Sequence, residues 1–159
     1  MLTIRQAVIG DVPVLLRMLH QSAEDQGFPD EVVVSREDLE QDGFGPSPRF
    51  HAVVADWNSE PAGMALYFFN YSTWVSRYGI YLEDLYVDRE HRNKGVAKAL
   101  MSHLARIATA EGCGRFQWVV HCENARALRL YNALGAESIE EWTLMMVKGD
   151  AIGRLAESP

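Results

Sequence analysis

The chain has 159 residues, of which 48% are hydrophobic and 23% charged, and its formal net charge at pH 7 is −7. This length is sufficient for one domain with a substantial core, but no uncharged apolar run approaches the ~20 residues of a membrane span, and the first residues lack the layout of a secretory signal. Two cysteines, Cys113 and Cys122, without CxxC spacing predict reduced thiols in a cytoplasmic protein, and we expect a single domain over residues 1–159.

The first third of the chain predicts a strand followed by two helices. Residues 2–7 alternate between apolar and polar side chains, which is typical of a strand. Asp11 is a candidate N-cap for the first helix. Ser35 and Asp38 have the spacing of a capping box for a second, short helix, which Gly43 can end.

The middle of the chain predicts a hairpin, a central strand and an amphipathic helix. Residues 50–56 and 62–71 form the hairpin, and residues 81–87 form the central strand. A charged turn over residues 88–94 follows. From Val96 onward, apolar side chains recur at the spacing of one helix face.

The last third predicts a strand, a helix and a final strand. These lie over residues 116–121, 124–134 and 142–147, with Gly135 as the helix stop, and we expect the tail from about residue 149 to be loosely held. The order β-α-α-β-β-β-α-β-α-β predicts an α/β (α+β) fold with a mixed sheet and helices on both faces.

Acidic side chains are concentrated in residues 24–42, where eight of them accompany a single arginine, Arg36. An acidic field attracts cations and repels nucleic acid, so a small cationic substrate fits better than DNA or RNA, although solubility alone explains the charge equally well. The five histidines show no metal-ligand spacing, so we expect no metal site.

The turn before the third helix has the features of a phosphate site. Its pattern is Arg92-x-x-Gly95-x-Ala97, and Lys94 and Lys98 add positive charge next to the exposed N–H groups of a helix start. The pattern is neither a P-loop, which needs Lys-Ser/Thr after its glycine, nor Gly-x-Gly-x-x-Gly.

The pattern resembles the Arg/Gln-x-x-Gly-x-Gly/Ala turn of the GNAT superfamily of N-acetyltransferases, which grips the pyrophosphate of acetyl-CoA. Further motifs are similar to those of the diamine (spermidine/spermine) and thialysine N-acetyltransferases. They are residues 38–45 (DLEQDGFG), residues 81–84 (YLED), Asn124 seven residues before Tyr131, and Gly135-Ala136 before a Trp-led final strand. The resemblance covers roughly residues 4–155 and implies the GNAT fold with a central sheet of about seven strands.

The resemblance implies an enzyme that moves acetyl from acetyl-CoA directly to a primary amine of a small cationic molecule. It implies Glu83 as the general base and Tyr131 as the acid that protonates the leaving thiolate. Because Glu83 lies in an apolar strand, we expect desolvation to raise the pKa of its carboxyl group. A bulge in the central strand, a family feature, would free the N–H groups of Leu85 and Val87 to polarise the acetyl carbonyl.

The same resemblance implies the remaining contacts and a homodimer. The residues expected to bind acetyl-CoA are Leu85, Tyr86, Val87, Arg92, Asn93, Lys94, Gly95, Val96, Ala97, Lys98, Asn124 and Ala127. The residues expected near the amine are Glu83, Asp84, Trp74, Asp25 and Gln26.

Several alternatives remain open. Tyr131 lies on an apolar helix face and fits a core tyrosine, Asn124 fits a plain N-cap, and Glu83 and Asp84 should point to opposite faces of a regular strand. Asp25-Gln26 stands where the diamine enzymes have a Tyr-Glu pair that contacts the polyamine, which leaves the amine open between polyamine, thialysine, amino acid and peptide N-terminus. A non-catalytic acetyl-CoA-binding module is the alternative to an enzyme.

Overall fold

The computed structural model describes residues 1–158. It separates into two compact units, one from Met1 to His121 and one that begins at Cys122. Each unit is described by itself, and the single domain over residues 1–159 stays a prediction. No helix within residues 1–158 is long and apolar enough to cross a membrane.

The first unit contains a mixed five-stranded sheet in the order β1-β2-β3-β4-β5. The first four strands are antiparallel to their neighbours, and β5 runs parallel to β4. The strands are β1 (Leu2–Gln6), β2 (His51–Trp57), β3 (Glu60–Ser72), β4 (Arg77–Val87) and β5 (Arg115–Gln117). The predicted hairpin is β2 and β3, and the predicted central strand is part of β4.

Residues 1–158 contain five α-helices. The first unit contains α1 (Val12–Gln26), α2 (Arg36–Phe44) and α3 (Val96–Ala110), and the second contains α4 (Ala125–Ala133) and α5 (Asp150–Ala156). Short 3-10 turns lie at Ile9–Asp11, Pro29–Glu31 and Arg89–His91.

The helices of the first unit cover both faces of its sheet. Met64 and Leu66 of β3 pack in one buried cluster with side chains of α1 and α2. A side chain at Gly63 would point to the opposite face, because side chains alternate along a strand. The side chain nearest to this position is that of Val96, at the start of α3. The predicted α/β layout with helices on both faces is therefore confirmed.

The predicted cap of α2 is present, but that of α1 is not, and α2 ends at Phe44 rather than at Gly43. Ser35 accepts a hydrogen bond from Asp38 N at 3.1 Å and Asp38 accepts one from Ser35 N at 2.9 Å, which confirms the capping box of α2. Asp11 holds the N-cap position of α1, but its side chain makes no cap hydrogen bond. It accepts the Val8 N–H at 2.8 Å and pairs with Arg5 at 2.7 Å.

The end of the chain departs from the prediction. Residues 142–147 form no strand, β5 is shorter than the predicted strand over residues 116–121, and the sheet within residues 1–158 has five strands rather than about seven. An apolar run becomes a strand only where its backbone groups meet those of a neighbouring strand, and the sequence pattern does not reveal that neighbour. The tail from about residue 149 forms α5, where we expected no element.

Gly63 allows α3 to begin close to the sheet, which makes it a sensitive position. A Cβ at this residue would lie 2.8 Å from Tyr86 O and 3.2 Å from Val96 Cγ1. We expect Gly63→Ala to lower the free energy of unfolding by about 1–3 kcal/mol, the usual cost of overpacking, in urea denaturation.

Gly10→Ala is the matched control, because a Cβ there would meet no atom within 4 Å. Equal stabilities of the Gly63→Ala variant and the unchanged protein would contradict this description of the packing.

Candidate active site

The pairing of β3 with β4 contains one extra residue in β4. The consecutive residues Leu66 and Tyr67 of β3 pair with Asp84 and Leu82, so Glu83 has no partner across the strand pair. This is a β-bulge, which leaves one residue unpaired and disrupts the local ladder. The bulge that the family resemblance implied is therefore present.

The bulge brings acidic and aromatic residues together on one face of the sheet. Asp84 pairs with Leu66, which packs toward α1 and α2. Phe68, two residues beyond Leu66, lies on the same face and pairs with Tyr81, with the two rings stacked at 5.0 Å. We call Phe68, Tyr81, Glu83 and Asp84 the bulge cluster.

The two carboxylates of the bulge cluster differ in their surroundings. Asp84 is partly buried, and burial, followed by the negative charge of Glu83, raises its pKa to about 6. Burial and the charge of Glu83 also raise the pKa of Tyr81. Glu83 itself is exposed to solvent. The sequence analysis placed the desolvated carboxylate at Glu83, and the structure places it at Asp84.

The expectation that Glu83 and Asp84 point to opposite faces depends on strict alternation along β4. The bulge interrupts that alternation at Glu83. The negative charge of Glu83 contributes to the raised pKa of both Tyr81 and Asp84. The opposite-face expectation, which assumes a regular strand, therefore does not apply at this bulge.

The turn from β4 into α3 has the backbone geometry of an anion site. Asn93 and Gly95 have φ values of 61° and 83°, in the left-handed region that favours glycine. Gly95 occupies the N-cap of α3 without a side-chain cap, and the first turn of α3 contains no acidic residue. The N–H groups of this first turn have no acceptor within the helix, so an anion is well placed there.

Two cations of this turn already have partners. Arg92 donates from Nε to Val87 O at 3.0 Å, forms an ion pair with Asp25, and lies 5.5 Å from the centre of the Tyr86 ring. Lys94 Nζ lies 5.3 Å from the centre of the Trp57 ring. Their charges are near the turn as predicted, but each is held by another group.

The residues predicted to contact the amine from outside β4 are dispersed. Asp25, near the end of α1, pairs with Arg89 and Arg92. Burial alone would raise the pKa of Asp25, but the hydrogen bonds from Arg92 and Arg89 outweigh it and lower the pKa. Gln26 donates to Ser22 O at 3.3 Å and to its Oγ at 3.2 Å.

Trp74 lies in the turn between β3 and β4 and is 88% exposed. Glu83 follows the first residue of β4 by six positions, about 20 Å along the strand from this turn. The structure therefore does not bring Trp74 to Glu83 or Asp84.

The second unit places Asn124 and Tyr131 on α4. Asn124 is the N-cap and its side chain accepts the Ala127 N–H at 3.1 Å, so the capping alternative is observed. Tyr131 is partly buried, and this burial raises the pKa of its phenol.

Sequence reasoning did not find every contact within the first unit. From the sequence, Phe68 with its neighbours Tyr67, Phe69 and Tyr71 is a candidate wall of an amine site or part of the core, but only the register of β3 against β4 reveals its pairing with Tyr81. Arg17 pairs with Asp88 at 2.9 Å across 71 positions, a separation with no local signal. Within residues 1–158 no group of three or more His, Cys, Asp or Glu side chains is arranged to hold a metal ion.

The fold and the bulge-turn-helix arrangement define an acetyltransferase of the GNAT class, and comparison with known proteins agrees. Residues 16–136 match the Acetyltransferase (GNAT) family. The chain therefore belongs to this family, and the predicted activity of acetyl transfer is confirmed. Acetyl-CoA is the family's co-substrate.

Individual relatives refine this placement. The chain is 38% identical to thialysine N-epsilon-acetyltransferase of Bos taurus, with 96% of each chain covered. It is 30% identical to the spermidine/spermine N(1)-acetyltransferase-like protein 1 of Homo sapiens over 89% of this chain and 22% of that protein. Among solved structures, an integron cassette protein from the mobile metagenome of V. cholerae superposes with a TM-score of 0.81 at 25% identity, covering 99% of this chain and 98% of that one.

The raised pKa of Asp84 predicts a pH-dependent stability. Because the folded-state pKa lies above the ordinary value of about 3.9, the folded chain binds more protons than the unfolded chain between about pH 4 and pH 6, and Asp84 lowers the free energy of unfolding as the pH rises through that window. Because asparagine does not titrate, we expect the Asp84→Asn variant not to show this loss. Its free energy of unfolding, relative to that of the unchanged protein, should rise by about 2–3 kcal/mol from pH 4 to pH 7.

Urea unfolding of both proteins from pH 4 to pH 7 measures the effect. Glu90→Gln, at a side chain that is 81% exposed, is the control and should leave the pH dependence unchanged. If the Asp84→Asn variant and the unchanged protein had the same pH dependence, Asp84 would have an ordinary pKa.

Proposed function

We propose that this protein transfers the acetyl group of acetyl-CoA to a primary amine of a small cationic molecule, with a thialysine-like amino acid as the preferred class and polyamines as the second. The observation that carries this proposal is the bulge cluster. It joins two carboxylates and two aromatic rings, which attract an alkylammonium group by charge and by cation–π contact. The names of the relatives support the same substrate classes.

For acetyl-CoA, we propose that the diphosphate binds residues 92–98 and the thioester arm binds along residues 85–87. Gly95 supports this assignment because its left-handed backbone and the uncapped start of α3 suit an anion. In the second unit, Asn124 and Ala127 are the proposed contacts of the pantetheine arm. The cap uses the Asn124 carbonyl oxygen, so the amide NH₂ of that side chain is not used by the cap.

The chemistry requires two proton movements. An alkylammonium with a pKa of about 10.4 must lose a proton before its nitrogen attacks the acetyl carbonyl carbon. Glu83, exposed at the bulge, accepts this proton directly or through water. Asp84 lies beside it with a raised pKa of about 6, which suits proton transfer near neutral pH.

Attack forms the new C–N bond and expels the coenzyme A thiolate as the C–S bond breaks. Backbone N–H groups of Leu85 and Val87, next to the bulge, are the proposed donors to the carbonyl oxygen as negative charge develops. Tyr131 is the proposed donor of a proton to the thiolate. The raised pKa of its phenol keeps the hydroxyl protonated at neutral pH.

The proposed preference for an amino-acid amine over a polyamine is argued from the surroundings of Asp25. The diamine enzymes that this chain resembles have a Tyr-Glu pair at the corresponding positions, and here the sequence is Asp25-Gln26. Two arginines pair with Asp25, and the Gln26 amide is bonded to Ser22. The one carboxylate at these two positions is therefore already paired and not offered to a second ammonium group of a polyamine, which favours an amino-acid amine.

We also propose a homodimer in the cytoplasm. Residues 139–147 of the second unit carry a series of exposed apolar side chains, and large exposed apolar patches mark interaction sites. Among them are Trp142 at 72%, Leu144 at 69% and Met145 at 84% exposure. Both cysteines are free, which agrees with a reducing compartment.

A panel of amines tests the proposed function. We expect coenzyme A thiol release from acetyl-CoA with thialysine, lysine, spermidine and putrescine, and a kcat/KM for thialysine about tenfold above that for spermidine, a difference of about 1.4 kcal/mol. Reactions without an amine are the blank. Thiol release at the blank rate with every amine, while acetyl-CoA still binds, would refute acetyl transfer to this substrate class.

Tyr131→Phe tests the proposed acid. Loss of the hydroxyl removes proton donation but not the ring, so we expect kcat to fall about 100-fold, as is typical for general acids, with little change in the Kd for acetyl-CoA. Steady-state kinetics and calorimetric titration measure the two quantities. Tyr71→Phe is the control, because its hydroxyl contacts Ser76 in the β3–β4 turn. Equal losses in kcat and affinity would remove the acid role.

A further inference from the structure

Three ion pairs connect α1 with the turn that precedes α3. Asp25 accepts from Arg89 Nε at 3.0 Å and also pairs with Arg92. Two helical turns earlier, Arg17 donates from Nη1 and Nη2 to the two carboxylate oxygens of Asp88, at 2.9 and 3.2 Å. The helix thus contacts residues 88–92 at two points. A cavity of about 250 Å³ lies beside the Arg17–Asp88 pair and is lined by Arg17, Gln21, Tyr86, Asp88, Arg89 and Glu90.

Arg92 is the most constrained member of this contact. Its Nε donates to Val87 O, the last residue of β4, and its Nη2 pairs with Asp25. The side chains of Arg92 and Asp25 are each only 19% exposed. Because this guanidinium binds both the carbonyl at the end of β4 and a carboxylate of α1, it holds residues 88–92 between the two elements.

The chain passes directly from Arg92 into the left-handed residues Asn93 and Gly95. These residues set the direction of the first N–H groups of α3. A binding loop that is ordered before its ligand arrives loses less conformational entropy on binding. By ordering the turn, the ion pair at Asp25 therefore influences the proposed diphosphate site without contacting the ligand.

We propose that Asp25 is a positioning residue for acetyl-CoA: its carboxylate holds Arg89 and Arg92 so that the turn over residues 88–95 is preorganised for the diphosphate, and it does not contact the amine. This inference rests on the proposed function of residues 92–98. It also gives Arg92 an anchoring role in place of direct phosphate contact by its side chain.

Removing the carboxylate has two opposing effects. Arg89 and Arg92 would repel each other and the turn would lose its anchor, which weakens binding. Two unpaired cations would also attract a diphosphate, but Arg89 is 71% exposed and salt screens such an attraction over about 8 Å at physiological ionic strength. The loss of preorganisation therefore dominates in salt.

Asp25→Asn is the principal test, in 0.15 M salt. We expect the Kd and KM for acetyl-CoA to rise about tenfold, equivalent to about 1.4 kcal/mol, with the KM for the amine at saturating acetyl-CoA unchanged. Asp25→Glu keeps the carboxylate and should restore most of the affinity. Glu37→Gln, at an exposed carboxylate of α2 with the same change in charge, is the control and should behave as the unchanged protein. Melting temperatures show whether each variant is folded.

Arg89→Gln provides a second, milder variant, because Arg92 keeps its contact with Asp25. It should weaken acetyl-CoA binding less than Asp25→Asn. Gly95→Val, which forces a β-branched residue into a left-handed backbone, tests the proposed loop itself.

The outcomes separate the two proposals. Unchanged acetyl-CoA affinity in a folded Gly95→Val variant would refute the loop as the diphosphate site. Weaker binding in Gly95→Val, together with equal or tighter binding in Asp25→Asn, would refute the positioning role alone. A raised amine KM in Asp25→Asn with unchanged acetyl-CoA affinity would return Asp25 to the amine site.

Discussion

One extra residue in β4 determines the arrangement of the chemical groups in the first unit. Without it, Glu83 and Asp84 would point to opposite faces of a regular strand, and Tyr81 would lie out of register with Phe68. With it, two carboxylates and two stacked rings share one region. The cost is an interrupted ladder, and the long pairing of β3 with β4 on both sides of the bulge stabilises the strand against it.

Strand β4, the turn over residues 88–95 and helix α3 form one continuous segment that carries the groups proposed for acetyl transfer. On one face, Gly63 lets α3 begin close to the sheet, and on the other, α1 holds residues 88–92 through Asp25 and Arg17. The turn is therefore braced from both sides of the sheet. The left-handed residues Asn93 and Gly95 lie directly after this segment, and both residue types adopt that backbone readily.

Local chemistry was predictable from the sequence, and long-range pairing was not. The capping box at Ser35 needs only residues within one helical turn, and the glycine-bearing turn before α3 is equally local. The pKa of Asp84 depends on strand register and burial, and Asp25 meets Arg89 across 64 positions. Residues 142–147 have the composition of a strand, but whether they form one depends on a neighbour that composition cannot identify.

The position of Lys94 above Trp57 gives this protein a built-in optical reporter. The ammonium lies 5.3 Å from the indole ring, and the His91 ring lies 5.8 Å from the same ring. Indole fluorescence responds to nearby charge, so an anion that draws Lys94 away from the ring would alter the emission of Trp57. A chain in which Trp74, Trp118 and Trp142 are replaced by phenylalanine would emit from this indole alone, and ligand entry could be followed in stopped flow without a label.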